Sequence, residues 1–248
     1  MSVPEESPAH RTPEESVRHG RLTARPSAAT VRPWGPGTYP VADRALLRVP
    51  TVAGPHRLAV VLHGAGGSAE QALEWLAPHA EDAELLLLAP QAAASTWDMI
   101  VDGYGPDVSR IDAALGEVFE RFAVAPAGVA ATGFSDGASY ALSLGVTNGD
   151  LFDAVLAFSP GFMAPLVRHG RPRIFVSHGT ADRVLPVNTC SRRLVPELER
   201  VGYPVSYREF TGGHEVPPAV VAEAIRWWSA GDQRPPPGPN VISPAGDL

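Results

Sequence analysis

The chain has 248 residues, 44% of them hydrophobic and 19% charged, with a formal net charge of −7. That length can bury a substantial core as one domain, and the acidic balance with scattered Arg residues argues against nucleic acid as a partner, because phosphate binding needs a basic surface. A single cysteine, Cys190, excludes an intramolecular disulfide framework and a Cys-rich metal site, and reads as a packed small hydrophobe.

Residues 1–19 are polar, charged and Pro-rich, and are expected to stay disordered because they cannot offset the entropy of ordering. The first thirty residues contain no apolar stretch resembling a signal-peptide core. The longest apolar run, Leu85 to Pro90, is too short to span a membrane. A cytoplasmic protein without a membrane span is the expectation, and nothing in the sequence specifies an oligomeric state.

From residue 20 to residue 230 the sequence reads as one folded domain in which short apolar runs alternate with amphipathic ones. In chain order, strands are expected at Ala45–Val49 and Leu58–Leu62, then a helix at Ala69–Pro78 and a strand at Glu84–Ala89. A helix at Val108–Phe122 carries Ile111, Leu115, Val118 and Phe122 on one face. Next come a strand at Val129–Phe134, a helix at Asp136–Val146, and strands at Ala154–Phe158 and Arg173–Ser177. The series closes with a helix at Val187–Val201, a strand at Val205–Phe210 and a helix opened by Pro218 and running to Ser229. Residues 231–248, with Pro235, Pro236, Pro237 and Pro239, again read as disordered. Strand–helix alternation of this kind predicts an α/β fold: a mostly parallel central sheet with helices on both faces. Reactive residues in such sheets lie beyond the carboxyl ends of the strands.

The chemistry-bearing motifs fall at those ends. Gly133-Phe134-Ser135-Asp136-Gly137 joins a strand to a helix and matches G-x-S-x-G, a strained turn that lifts a serine hydroxyl above the sheet. The glycines are needed because a Cβ two residues either side of Ser135 would strike backbone. A serine nucleophile attacking an acyl carbonyl requires two N–H groups for the developing oxyanion. One should come from Asp136 and the other from Ala65, in the turn Leu62-His63-Gly64-Ala65-Gly66-Gly67. His63 reads as a loop-fixing hydrogen bonder. No Lys-Ser/Thr follows Gly67 and no ribose-binding acid stands at the right distance, so the glycines do not make a nucleotide loop.

A base and the acid that orients it should follow the serine. His214, in Thr211-Gly212-Gly213-His214-Glu215, sits between the last strand and the last helix, where a Gly-flanked loop can reach back to Ser135. Asp182 lies on the loop after the preceding strand, whereas Asp150 and Asp153 sit at the wrong end of the sheet. His178 reads as loop-forming. Trp97 and Met99 from one loop, and Phe162 and Met163 from another, are candidate walls of a substrate pocket, with core packing as the alternative for each.

The ordered set LHGAGG, GFSDG, HGTADRVLP and GGHEVPP, within roughly Gly20 to Trp228, resembles the bacterial phospholipase/carboxylesterase family of α/β-hydrolases, relatives of the acyl-protein thioesterases. The resemblance implies a Ser135/Asp182/His214 triad, oxyanion amides on Ala65 and Asp136, no cofactor or metal, and small-molecule carboxylic esters as substrates. Acyl-thioesters are the nearest variant, and a catalytically silent binding module on the same fold is the alternative from another class. The thioesterase branch commonly has Gln after its nucleophile. Asp136 stands there instead, either capping the helix or selecting substrate.

Overall fold

The computed structural model describes residues 12–52 and 55–231. Its first element, α1 (Pro13–Arg18), is regular structure at the end of the segment expected to be disordered; residues 1–11 of that segment lie outside the described residues. Thr12 and Glu15 form a reciprocal capping box that satisfies two of the helix's free N–H groups. Just beyond it, Arg21 makes a bidentate pair with Asp150 at 2.8 Å, and Asn148 holds the backbone of Gly20 and Leu22. Leu22 is buried in the core. These long-range contacts are invisible to composition. Of the Pro-rich segment expected to be disordered after residue 230, all but Gly231 lies outside the described residues.

Strands β1 (Gly37–Val41) and β2 (Ala45–Val49) form an antiparallel hairpin. The first has no counterpart among the expected strands; its Pro40 is tolerated at the sheet edge, where a missing N–H breaks no ladder. There follow β3 (His56–Leu62), α2 (Ala69–Ala80), β4 (Leu85–Pro90), α3 (Asp98–Val101) and α4 (Pro106–Arg121). Then come β5 (Val124–Phe134), α5 (Asp136–Thr147), β6 (Ala154–Phe158) and β7 (Arg173–Gly179). The chain ends its regular structure with α6 (Ser191–Arg200), β8 (Val205–Phe210) and α7 (Pro218–Ser229).

The eight described strands lie in one sheet, in the order β1-β2-β4-β3-β5-β6-β7-β8. Every pairing from β4 to β8 is parallel, and only the β1–β2 and β2–β4 pairings are antiparallel. Burial explains why the central strands read as continuous apolar runs. Leu86 and Leu88 of β4 join Leu58 and Val60 of β3 on the face covered by α4, α5 and α6. Leu85, Leu87, Ala59 and Val61 point to the opposite face, under α2 and α7. Each fully buried Leu or Val contributes about 1.5–3 kcal/mol relative to exposure.

Boundaries moved where local propensity lost to packing. Strand β5 begins at Val124, five residues before the expected start, because a register shift opposite His56 and Leu58 absorbs the segment around Gly128. Helix α2 continues past Pro78 to Ala80, with Pro78 on its exposed side where an unmatched carbonyl can meet water. Helix α6 starts at Ser191, four residues after the expected Val187.

Candidate active site

Ser135 occupies the turn between β5 and α5 with φ 57° and ψ −120°, a backbone conformation that L-residues rarely adopt. The turn is over-determined by its surroundings. Ser135 N–H donates to Phe158 O on neighbouring β6 at 2.9 Å, and Ser135 O accepts from Ala138 and Ser139 N–H at 3.0 Å. A Cβ on Gly133 would fall on the carbonyl of Gly137, and one on Gly137 would fall on the carbonyl of Leu62. Both flanking glycines are therefore demanded by close backbone approach.

The structure brings His214 and Asp182 to this serine from two other loops. His214 Nε2 lies 2.9 Å from Ser135 Oγ, and His214 Nδ1 lies 2.7 Å from Asp182 Oδ2. The loop after β7 and the loop after β8 are tied together by Thr180 N–H to Phe210 O and Ala181 N–H to Gly212 O, each 2.9 Å. The Phe134 ring packs 4.7 Å from the His214 imidazole. Asp182 Oδ1 accepts from the N–H groups of Val184 and Leu185 at 2.9 and 2.8 Å. Burial pushes the Asp182 carboxyl up, but His214 and these two amides outweigh it and hold its pKa below the ordinary carboxylate value. The carboxylate is thus ionised at neutral pH and aimed at one imidazole nitrogen.

Ala65 and Asp136 present N–H groups without a hydrogen-bond partner among the described residues. Gly64 packs on the serine turn: a Cβ there would sit 3.4 Å from that of Ser135. His63 shapes this turn. Its Nδ1 donates to Gly64 O at 2.8 Å, while Nε2 accepts from Ala92 N–H and from the Gln91 amide, each at 3.1 Å. Burial lowers its pKa, so the imidazole is neutral and one tautomer serves both sides. Because the Gly64 carbonyl is held by His63, the trans peptide directs the Ala65 N–H the opposite way.

The loop between β4 and α4 requires a correction. Trp97, a candidate pocket wall, has no exposed surface. Its ring stacks on Tyr140 at 5.1 Å and its Nε1–H donates to His63 O at 2.9 Å. A large aromatic with one polar atom gains most where that atom also finds a partner, and Trp97 is core. Met99 and Met163 are half-buried against the same core. Phe162, on the loop after β6, is 40% exposed.

Sequence reading missed the groups that hold this loop. Asp98 accepts from Gly105 and Asp107 N–H at 2.8 Å and from Tyr140 Oη–H at 3.0 Å. Asp107 in return accepts from Ala93 and Asp98 N–H at 2.7 and 2.9 Å. The spacing of two aspartates carries no such signal, since their partners are backbone amides brought near by the turn. A separate cleft of about 330 Å³, lined by Trp34, His56 and Phe122, lies at the amino end of the sheet, away from Ser135.

No protein-family model matches the chain. A curated protein of Aspergillus oryzae named "Probable feruloyl esterase C" is 25% identical over 226 residues, covering 76% of this chain and 83% of that protein. Among solved structures, esterase PE8 superposes with a TM-score of 0.60 and 23% identity, over 79% of this chain and 98% of that one. A phospholipase/carboxylesterase from Dyadobacter fermentans gives 0.57 and 23%, over 76% and 98%. Together with the strand order, these likenesses decide the architecture. The chain has the α/β-hydrolase fold.

In this α/β-hydrolase the serine turn follows β5, the acid loop follows β7 and the histidine loop follows β8, so all three meet at the carboxyl edge of the sheet. Among the described residues, no cluster of three or more His, Cys, Asp or Glu is arranged to hold a metal ion. No described helix is long and apolar enough to cross a membrane.

Proposed function

We propose that the protein hydrolyses small carboxylic esters through an acyl-enzyme on Ser135, with His214 as general base and Asp182 as its orienting acid. The observation that carries this reading is the unbroken line from Ser135 Oγ to His214 Nε2 at 2.9 Å and from His214 Nδ1 to Asp182 Oδ2 at 2.7 Å. His214 takes the hydroxyl proton as Ser135 Oγ attacks the ester carbonyl. The N–H groups of Ala65 and Asp136 receive the negative oxygen of the tetrahedral intermediate. Collapse expels the alcohol, protonated by the imidazolium. Water activated by the same imidazole then releases the acid and frees Ser135.

Phe162, Met99 and Met163 are the side chains proposed to wall the acyl group. The feruloyl-esterase relative supports including aryl esters such as methyl ferulate among substrates, beside nitrophenyl esters and acyl-thioesters. A cytoplasmic setting belongs to the same proposal and is supported by the lone thiol of Cys190. A fluorophosphonate probe tests the reading directly. Ser135 should be labelled in the native chain and not in Ser135→Ala. A folded chain that stays unlabelled and turns over none of these esters would make it a binding module instead.

A further inference from the structure

We infer that His178 is a positioning residue for this reaction, acting as a second imidazole that holds the Asp182 carboxylate in line with His214. The inference rests on the esterase reading above and adds a residue to it. His178 ends the core of β7, pairs with Glu209 of β8 and has no exposed surface. Its Nε2 stands 2.7 Å from Leu185 O and 3.3 Å from Asp182 Oδ2, the oxygen that also receives His214. Its Nδ1 stands 2.7 Å from Ser191 Oγ at the start of α6.

The partners dictate the tautomer. A carbonyl only accepts, so Nε2 carries the proton and donates it to Leu185 O, with its positive N–H edge 3.3 Å from Asp182 Oδ2. Nδ1 then accepts from the Ser191 hydroxyl. Three hydrogen bonds consequently converge on Asp182, from Val184 and Leu185 N–H on Oδ1 and from His214 on Oδ2, with the His178 N–H 3.3 Å from Oδ2 as a fourth polar neighbour. His178 also grips the far end of the same turn, since Leu185 gives its N–H to Asp182 and its carbonyl to His178. Without that imidazole, Oδ2 loses a polar neighbour and the part-buried Leu185 carbonyl loses its partner. The carboxylate is then held by the two amides on Oδ1 and by His214 alone, and the loosened turn lets Oδ2 shift, which misaligns His214 while leaving the acyl-binding surface untouched.

The substitutions His178→Leu, His178→Gln and His178→Asn separate this role from packing. A Gln amide nitrogen reaches the Nε2 position and an Asn amide falls one methylene short. With nitrophenyl acetate, His178→Leu and His178→Asn should lower kcat by about 10²-fold, a cost typical of misplacement near 1 Å, with KM within about twofold. His178→Gln should recover most of the loss. In an Asp182→Asn background the His178→Leu change should lower kcat by no more than about twofold, because residues that act as a unit are not additive.

Wild-type kcat in His178→Leu overturns the inference, as does the same fold-loss in both backgrounds. Should the Leu variant not fold, the Gln and Asn variants decide, and equal kcat in those two overturns it. If instead the native chain is unlabelled by fluorophosphonate, the esterase reading falls and this inference with it. That outcome is distinct from a labelled chain indifferent to His178.

Discussion

Thr96 Oγ1 donates a 2.7 Å hydrogen bond to Asp136 Oδ2, joining the loop after β4 to the residue that follows Ser135. The contact gives the Asp136 side chain a partner on a different loop. It ties two chain segments that meet only at the carboxyl edge of the sheet. A double-mutant cycle over Thr96→Val and Asp136→Ala, read by urea denaturation, should return a coupling of about 0.5–1.5 kcal/mol, the usual net worth of such a bond. Additive single effects would show that the two residues are independent.

The three residues aligned on the nucleophile turn should fail together. Ser135→Ala and His214→Ala should each lower kcat by roughly 10⁴–10⁶-fold, and Asp182→Asn by about 10⁴-fold through the wrong imidazole tautomer. Steady-state kinetics with melting curves on the same samples check this. A Ser135→Ala enzyme retaining a tenth of native turnover would reject the assignment.

Stability should begin to fall on the acid side of neutrality before the carboxylates titrate. Burial lowers the pKa of both His63 and His178. Below the ordinary histidine value the unfolded chain therefore binds protons that the folded chain refuses. Their stabilising contribution is present above pH about 6.5 and is lost as pH drops through the folded-state values, at up to about 1.4 kcal/mol per pH unit for each. Denaturant midpoints measured between pH 8 and 5 test the sign. A flat profile over that interval would contradict the buried neutral state of these rings.

Trp97→Ala should act on stability and leave acyl-chain preference unchanged. The loss is expected at about 3–5 kcal/mol, the range for removing a large aromatic from a core. Replacing Trp97 by Phe should recover part of the packing on Tyr140 but not the bond to His63 O. Chain-length profiles from acetate to palmitate, run beside the melts, separate the outcomes. A shifted profile with an unchanged melt would return Trp97 to the pocket.

Phe162→Ala should behave in the opposite way. An exposed ring contributes little to folding, so stability should change by no more than about 0.5 kcal/mol. Acyl-chain selectivity in kcat/KM should move by roughly 10-fold or more if the ring contacts substrate. An unaltered profile would remove Phe162 from the proposed pocket.

Much of this molecule is written locally in its sequence. The strands Ala45–Val49, Ala154–Phe158 and Val205–Phe210 and the helix Pro218–Ser229 have the bounds that apolar runs and a leading Pro predict. The serine turn is equally legible, because Gly133 and Gly137 record backbone contacts that no other residue permits. Ordered motifs at strand ends also put Ser135, Asp182 and His214 forward, since a parallel sheet delivers every such end to one edge.

What periodicity could not supply are contacts between segments far apart in the chain. Arg21 meets Asp150 across 129 positions, and Trp97 meets His63 O across 34. Whether an aromatic on a loop is pocket wall or core depends on which helix passes over it, and Tyr140 of α5 passes over Trp97. His178 reads as a loop residue from sequence because its partners, Asp182, Leu185 and Ser191, are reached by the path of the turn and not by any helical or strand period. Sequence alone determined the α/β class and the candidate reactive side chains, through local sterics and the direction of the strands. Only tertiary structure decided which buried polar groups share a proton and which aromatics see solvent, because those follow from packing that brings separate elements within hydrogen-bond distance.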